Sequence, residues 1–193
     1  MKHFQITPYW DINTVLHYFL ENIKNIFSPS KTIEKKYPQI EKDGDLKQDS
    51  LEMGWPFQCF TLQKYGLTIE GPSAESFITP VTQNELLHAA SSIIKLWNDQ
   101  AHDQNEVKWL ENRSEQTFVV LTLCRFHYLM SNKTIASKSD SAQWAINMLD
   151  KKWVNLINKA NKKMLQEREV DKNEIQTTIE FIEFALETIN SKY

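Results

Sequence analysis

The sequence predicts an all-α fold, an antiparallel bundle of about five helices preceded by an N-terminal helix and a polar linker. Three observations carry this. Only four Gly and six Pro interrupt 193 residues, a composition that suits long helices. From residue 82 onward, five successive stretches place apolar residues three and four apart, with short turns between them. The run Phe118–Leu129 is almost continuously apolar, as in a helix buried on most sides. Arg125 is the only full charge within that run, and a cation withdrawn from water needs a partner.

Each element has its own signal. Residues 11–27 read as an amphipathic helix with Asp11 as N-cap and Ile12, Val15, Leu16, Phe19, Ile23 and Ile26 on one face. Ser28-Pro29-Ser30 stops it. Residues 28–52, rich in Lys and Asp and broken by Pro38 and Gly44, read as a polar linker with room for one short helix. Phe60–Glu70 reads as a short strand pair or an extended segment turning at Tyr65-Gly66, and Gly71-Pro72-Ser73 breaks the chain.

The helix over 82–98 opens with the capping box Thr82/Glu85 and carries Leu86, Leu87, Ala90, Ile93, Ile94 and Trp97. Residues 99–112 read as an acidic loop. Further helices are expected over about 114–130, 139–149 and 151–165, and from Asp171 to the end. The domain boundaries that follow are 1–27 for the first helix, 28–59 for the linker and 60–193 for the bundle.

With 22 Lys plus Arg against 25 Asp plus Glu, the chain lacks the basic excess of a nucleic-acid binder. Cys59 and Cys124 are far apart and read as buried free thiols in a reducing compartment. His3, Asp11 and His17 interrupt any N-terminal apolar segment, and no uncharged run approaches the ~18 residues of a membrane span. A cytoplasmic protein without membrane partners is the expectation. No metal or nucleophile motif stands out. Asp43-Gly44-Asp45 lacks the strand context that a metal-binding carboxylate pair needs and reads as a solvated turn. His88 and His127 lack a second ligand at metal spacing, and Trp144 reads as core.

Four segments carry a resemblance: Tyr65-Gly66-Leu67-Thr68-Ile69-Glu70-Gly71-Pro72-Ser73; Leu96-Trp97-Asn98; Val119-Val120-Leu121-Thr122-Leu123-Cys124-Arg125; and Ile135-Ala136-Ser137-Lys138 followed by Ala142-Gln143-Trp144-Ala145. From Tyr65 onward the chain resembles the C-terminal helical domain of the aminoglycoside nucleotidyltransferases that adenylylate streptomycin and spectinomycin. Members of that family use ATP and magnesium, held by a lobe with a Gly-Ser strand end, an Asp-x-Asp pair and a carboxylate base. None of these three motifs follows Phe27 here, so no catalytic or metal residue is assigned.

The resemblance implies phosphate contacts at Lys138, Arg125 and Lys133, and antibiotic contacts at Trp97, Asp99, Asp103 and Glu115. Each has a plainer alternative: a solvated lysine for Lys138, an interhelix ion pair for Arg125, core packing for Trp97 and a solvated loop for the acids. Two functions follow. The first is an aminoglycoside nucleotidyltransferase-like protein that retains the ligand-binding helices and is inactive alone. The second is a stand-alone helical module that binds a ligand or a partner protein, or self-associates, through the face a catalytic lobe would cover.

Overall fold

The computed structural model describes residues 36–40, 46–50, 53–104, 106–162 and 170–192. The helix expected over 11–27 and the Asp43-Gly44-Asp45 turn lie outside them. The chain divides into two compact units, Met1–Glu85 and Leu86–Tyr193.

In the first unit, β1 (Lys36–Ile40) pairs antiparallel with β2 (Leu46–Ser50), Lys36 opposite Ser50 and Ile40 opposite Leu46. A ribbon thus occupies part of the stretch read as a linker. Pro38 is compatible with it because each strand of a two-stranded ribbon has one unpaired edge. The strand pair expected after Phe60 is instead helical: α1 spans Trp55–Tyr65 and α2 spans Ala74–Phe77. Pro56 falls in the first turn of α1, where a missing N–H costs nothing. At its end the Gly66 amide donates to the Leu62 carbonyl, so close that a Cβ on Gly66 would strike that oxygen. The Gln63 carboxamide donates to the Ile78 carbonyl at 2.9 Å and accepts from the Val81 amide at 3.3 Å.

The bundle is all-α and follows the expected helix order. α3 (Gln83–His102) begins with the Thr82/Glu85 capping box, the Thr82 amide donating to Glu85 Oε2 at 2.7 Å. It continues past the expected end at 98, because nothing between Asn98 and His102 breaks a helix and the His102 ring bonds the Asn98 carbonyl at 2.8 Å. A tight turn at Val107–Glu111 replaces most of the remaining loop. α4 (Arg113–Asn132) is capped by the Asn112 side chain and ends at Lys133 in a left-handed conformation, φ 61°. α5 (Lys138–Met148), α6 (Val154–Lys162) and α7 (Lys172–Lys192) complete the bundle. α4 packs against α5, α6 and α7 and buries Val119, Val120, Leu121, Leu123, Cys124 and Phe126 among others. No described helix is long and apolar enough to cross a membrane.

Two polar features sit inside this core. The Glu174 carboxylate, 7% exposed, bonds Arg113 Nη2 at 2.8 Å and Lys159 Nζ at 2.7 Å. Arg113 also donates to Gln116 Oε1 at 2.7 Å, and Gln116 donates to the Thr178 hydroxyl at 3.0 Å. The Glu174 amide donates to Asp171 Oδ1 at 2.8 Å, capping α7. One carboxylate therefore joins α4, α6 and α7. Although burial alone would raise its pKa, the bonds from Arg113 and Lys159 outweigh burial and hold the carboxyl at about 2.

The second feature is His127, buried and stacked against Phe184 at 5.0 Å and Phe181 at 5.6 Å, with Trp153 on the same two rings. Its Nε2 has no hydrogen-bond partner. Burial, helped by the Lys192 charge, pushes its pKa down to about 4.

Acid should therefore weaken the fold in two successive windows. His127 has its pKa depressed by folding, so the unfolded chain binds its proton first. Its contribution is full above pH ~6.5 and lost toward pH 4, on the order of 3 kcal/mol. Guanidinium unfolding at pH 7 and pH 5 should show about 2 kcal/mol of this loss, and His127→Leu should flatten it. Glu174 is also depressed, so its contribution is full above pH ~4.5 and lost toward pH 2. At pH 7, Glu174→Gln should cost about 3 kcal/mol by leaving Arg113 buried without its counter-ion. An unchanged denaturation midpoint would refute the central role of Glu174.

Candidate functional site

α4 is buried on most sides but open along one line. Phe118 and Arg125 lie seven residues apart, two helical turns, and so share a face. Phe118 is 46% exposed and Arg125 half-buried, whereas Val119, Leu123, Cys124 and Leu129 are sealed. Burial lowers the Arg125 pKa.

The ion pair that the sequence allowed for Arg125 is not its partner in the structure. Arg125 Nε donates to the Ala136 carbonyl at 3.0 Å, and no carboxylate among the described residues pairs with its guanidinium. That bond pins the turn between α4 and α5. Ser137 then caps α5: its hydroxyl accepts from the Asp140 amide at 3.1 Å and donates to the Asp140 carboxylate at 2.7 Å. The cap fixes Lys138 as the first residue of α5, and its ammonium lies 4.5 Å from the centre of the Phe118 ring. Burial and the Arg125 charge both lower the Lys138 pKa.

Trp97, from the last turns of α3, meets Phe118 edge-on with centroids 6.1 Å apart and stacks on Phe126 at 6.4 Å. The structure therefore gathers Trp97, Arg125 and Lys138 into one patch. Glu115 stands on its rim, exposed, one turn before Phe118 on α4.

The other sequence candidates fall elsewhere. Asp99 lies on α3 and not in a loop, roughly 200° around the helix from Trp97, exposed on the outer side. Asp103 begins the turn after α3, its carbonyl accepting from the amides of Glu106 and Val107. Lys133 is exposed at the left-handed end of α4. Sequence reasoning passed over Phe118 and Phe126. For Phe118 the signal was its spacing of seven from Arg125, which places it on the same face as the run's only charge. Trp144 meets Tyr128 edge-on at 5.5 Å between α5 and α4, and His88 is exposed on α3.

A separate concavity of about 320 Å³ lies between α6 and the first turn of α7, lined by Lys152, Asn155, Lys159, Asp171, Glu174 and others. Its charges are largely committed to one another, Lys159 to Glu174 and Asp171 to the α7 cap. The Trp97 patch differs. Among the described residues its cations have no carboxylate partner, and positive charge beside an aromatic wall can hold an anion that carries a ring.

Residues 76–188 match the family described as aminoglycoside adenylyltransferase, C-terminal domain. Aminoglycoside (3'') (9) adenylyltransferase from Rhizobium radiobacter is 31% identical over 107 residues, 55% of this chain and 36% of that protein. The Escherichia coli protein of the same name is 29% identical over 110 residues, 55% of this chain and 37% of its own length. The chain thus matches little more than a third of the length of these relatives. The spectinomycin adenyltransferase of Enterococcus faecialis, solved with ATP and spectinomycin, shares the fold with a TM-score of 0.58 at 18% identity. That match covers 76% of this chain and 55% of the other. Because the family match over residues 76–188 takes in more than half of the chain, the chain belongs to the aminoglycoside adenylyltransferase family through its C-terminal domain.

Proposed function

We propose that the Leu86–Tyr193 bundle is the ligand-binding half of an AMP-transfer site. Arg125 and Lys138 receive the phosphates of ATP, and Trp97, with Glu115 at the rim, receives an aminoglycoside or aminocyclitol antibiotic. The observation that carries this reading is the pair of cations beside the Trp97–Phe118 rings, without a carboxylate partner among the described residues. The relatives' names and the ATP and spectinomycin of the structural neighbour point to the same ligand classes.

In adenylyl transfer an antibiotic hydroxyl attacks the α-phosphorus and pyrophosphate leaves. Positive groups that face the phosphates offset the charge that accumulates there. Arg125 and Lys138 can serve that end. Held at 3.0 Å to the Ala136 carbonyl through Nε, Arg125 keeps its two terminal nitrogens for an anion. Deprotonating the hydroxyl and binding magnesium need carboxylates, for which the patch offers only Glu115 at its rim. The chain alone is accordingly a binder that turns over slowly or not at all. The alternative, a module for a partner protein, draws on the exposure of Leu96 and Phe118.

Calorimetry with ATP and with spectinomycin tests the reading. Lys138→Gln should weaken ATP binding about tenfold, the scale of one charge-assisted hydrogen bond. Trp97→Ala should weaken spectinomycin binding by a similar factor while sparing ATP. If ATP and a panel of aminoglycosides show no saturable binding, the ligand-binding reading fails and the partner-protein reading stands. Adenylylated antibiotic formed at enzyme-like turnover, seen by mass spectrometry, would refute the inactivity of the isolated chain.

A further inference from the structure

Phe118 is an anomaly on its own helix. It is the large apolar side chain of α4 that remains exposed, at 46%, while Val119, Val120 and Leu121 beside it are sealed from solvent. Packing against Trp97 does not require a ring there, since a leucine would fill the same edge. What only a ring supplies is a negative face, and the Lys138 ammonium lies 4.5 Å from its centre.

Lys138 needs such support. Arg125 acts on it as a like charge, and burial disfavours both cations. The nearby acid on α5, Asp140, is bonded to the Ser137 hydroxyl and amide cap, and Glu115 stands exposed at the rim of α4. No carboxylate among the described residues forms an ion pair with Lys138 or Arg125. Left to electrostatics, the long lysine side chain would swing into solvent.

We propose that Phe118 is a positioning residue for the cation pair: its ring face holds the Lys138 ammonium beside Arg125, so that both charges stand ready for one polyphosphate. The consequence for ATP rests on the proposed function, whereas the hold on Lys138 does not. A ring beneath an ammonium at a partly exposed site is worth about 0.5–1 kcal/mol, so its removal should cost roughly two- to fivefold in affinity for a ligand that needs the ammonium in place.

Two measurements on the full chain separate these points. The titration of the Lys138 ε-carbon, followed by NMR with ¹³C-labelled lysine, should move to higher pH in Phe118→Leu, as the ammonium leaves burial and the Arg125 charge for solvent, and stay at the wild-type midpoint in Phe118→Tyr, which keeps the ring face. ATP calorimetry should show affinity weakened about threefold in Phe118→Leu, restored in Phe118→Tyr, and no further loss when Phe118→Leu is added to Lys138→Gln. The proposal is overturned if Phe118→Leu leaves the lysine midpoint in place, or if it weakens ATP binding equally with and without Lys138. A shifted midpoint without ATP binding by any of the proteins would sustain the positioning role and refute the nucleotide reading.

Discussion

The bundle depends on the carboxylate of Glu174. Its two oxygens bond cations from two other helices, Arg113 of α4 and Lys159 of α6, while its backbone begins α7 under the Asp171 cap. Three helices that share only apolar contacts could slide along one another at little cost, because hydrophobic burial is not directional. A buried charge restricts them to the arrangement that satisfies it, since any other leaves an unpaired ion in the core. The bond from Gln116 to Thr178 repeats the constraint one turn along each helix. The rotation of α4 about its axis is thereby fixed at its N-terminal end. That rotation decides which side chains occupy its open face two and more turns later.

α4 contains two arginines, and the contrast between them separates structure from site. Arg113 is 14% exposed and is answered by Glu174 and Gln116. Arg125 is answered by one backbone carbonyl and lies close enough to Lys138 for its charge to depress that lysine's pKa. A fold seeking only stability would gain from a carboxylate at such a place, or from an apolar side chain without charge. Keeping two unneutralised cations half-buried on the same face makes sense where an anion arrives from outside. The turn from Lys133 to Ser137 serves both ends: the Ala136 carbonyl holds Arg125 and the Ser137 cap fixes Lys138.

Periodicity made the bundle legible, because each helix has to bury one apolar stripe and that stripe is written at three- and four-residue intervals. Thr82/Glu85 marked the start of α3 because the box acts within four residues. What escaped was information carried by distant partners. Glu174 reads locally as the third position of a capping box headed by Asp171, an exposed place in most helices. Its distant partners, Arg113 61 residues earlier and Lys159 on α6, make it the centre of the core. The ribbon of Lys36–Ile40 and Leu46–Ser50 escaped for a different reason. Its apolar residues are too sparse to alternate, and strand pairing through backbone bonds leaves little mark on side-chain pattern. Among site residues, Trp97, Arg125 and Lys138 converge because they lie on facing ends of α3, α4 and α5. Asp99 fails to join them because two residues along a helix point to opposite sides, which a reading of the stretch as a loop could not reveal.

Binding and chemistry make different demands on a phosphate site, and under the proposed function the patch would meet the first more fully than the second. Binding needs charge and a surface to exclude water, supplied by Arg125, Lys138 and the Trp97–Phe118–Phe126 rings. Transfer would need in addition a base for the hydroxyl and a metal ion to offset phosphate charge, and carboxylates apart from the cations would have to serve both. Carboxylates placed within reach of Arg125 and Lys138 on the same helices would have neutralised them as Glu174 neutralises Arg113, and the anion would have lost its seat. The acids of such a reaction must therefore face the cations across a gap that the substrate fills.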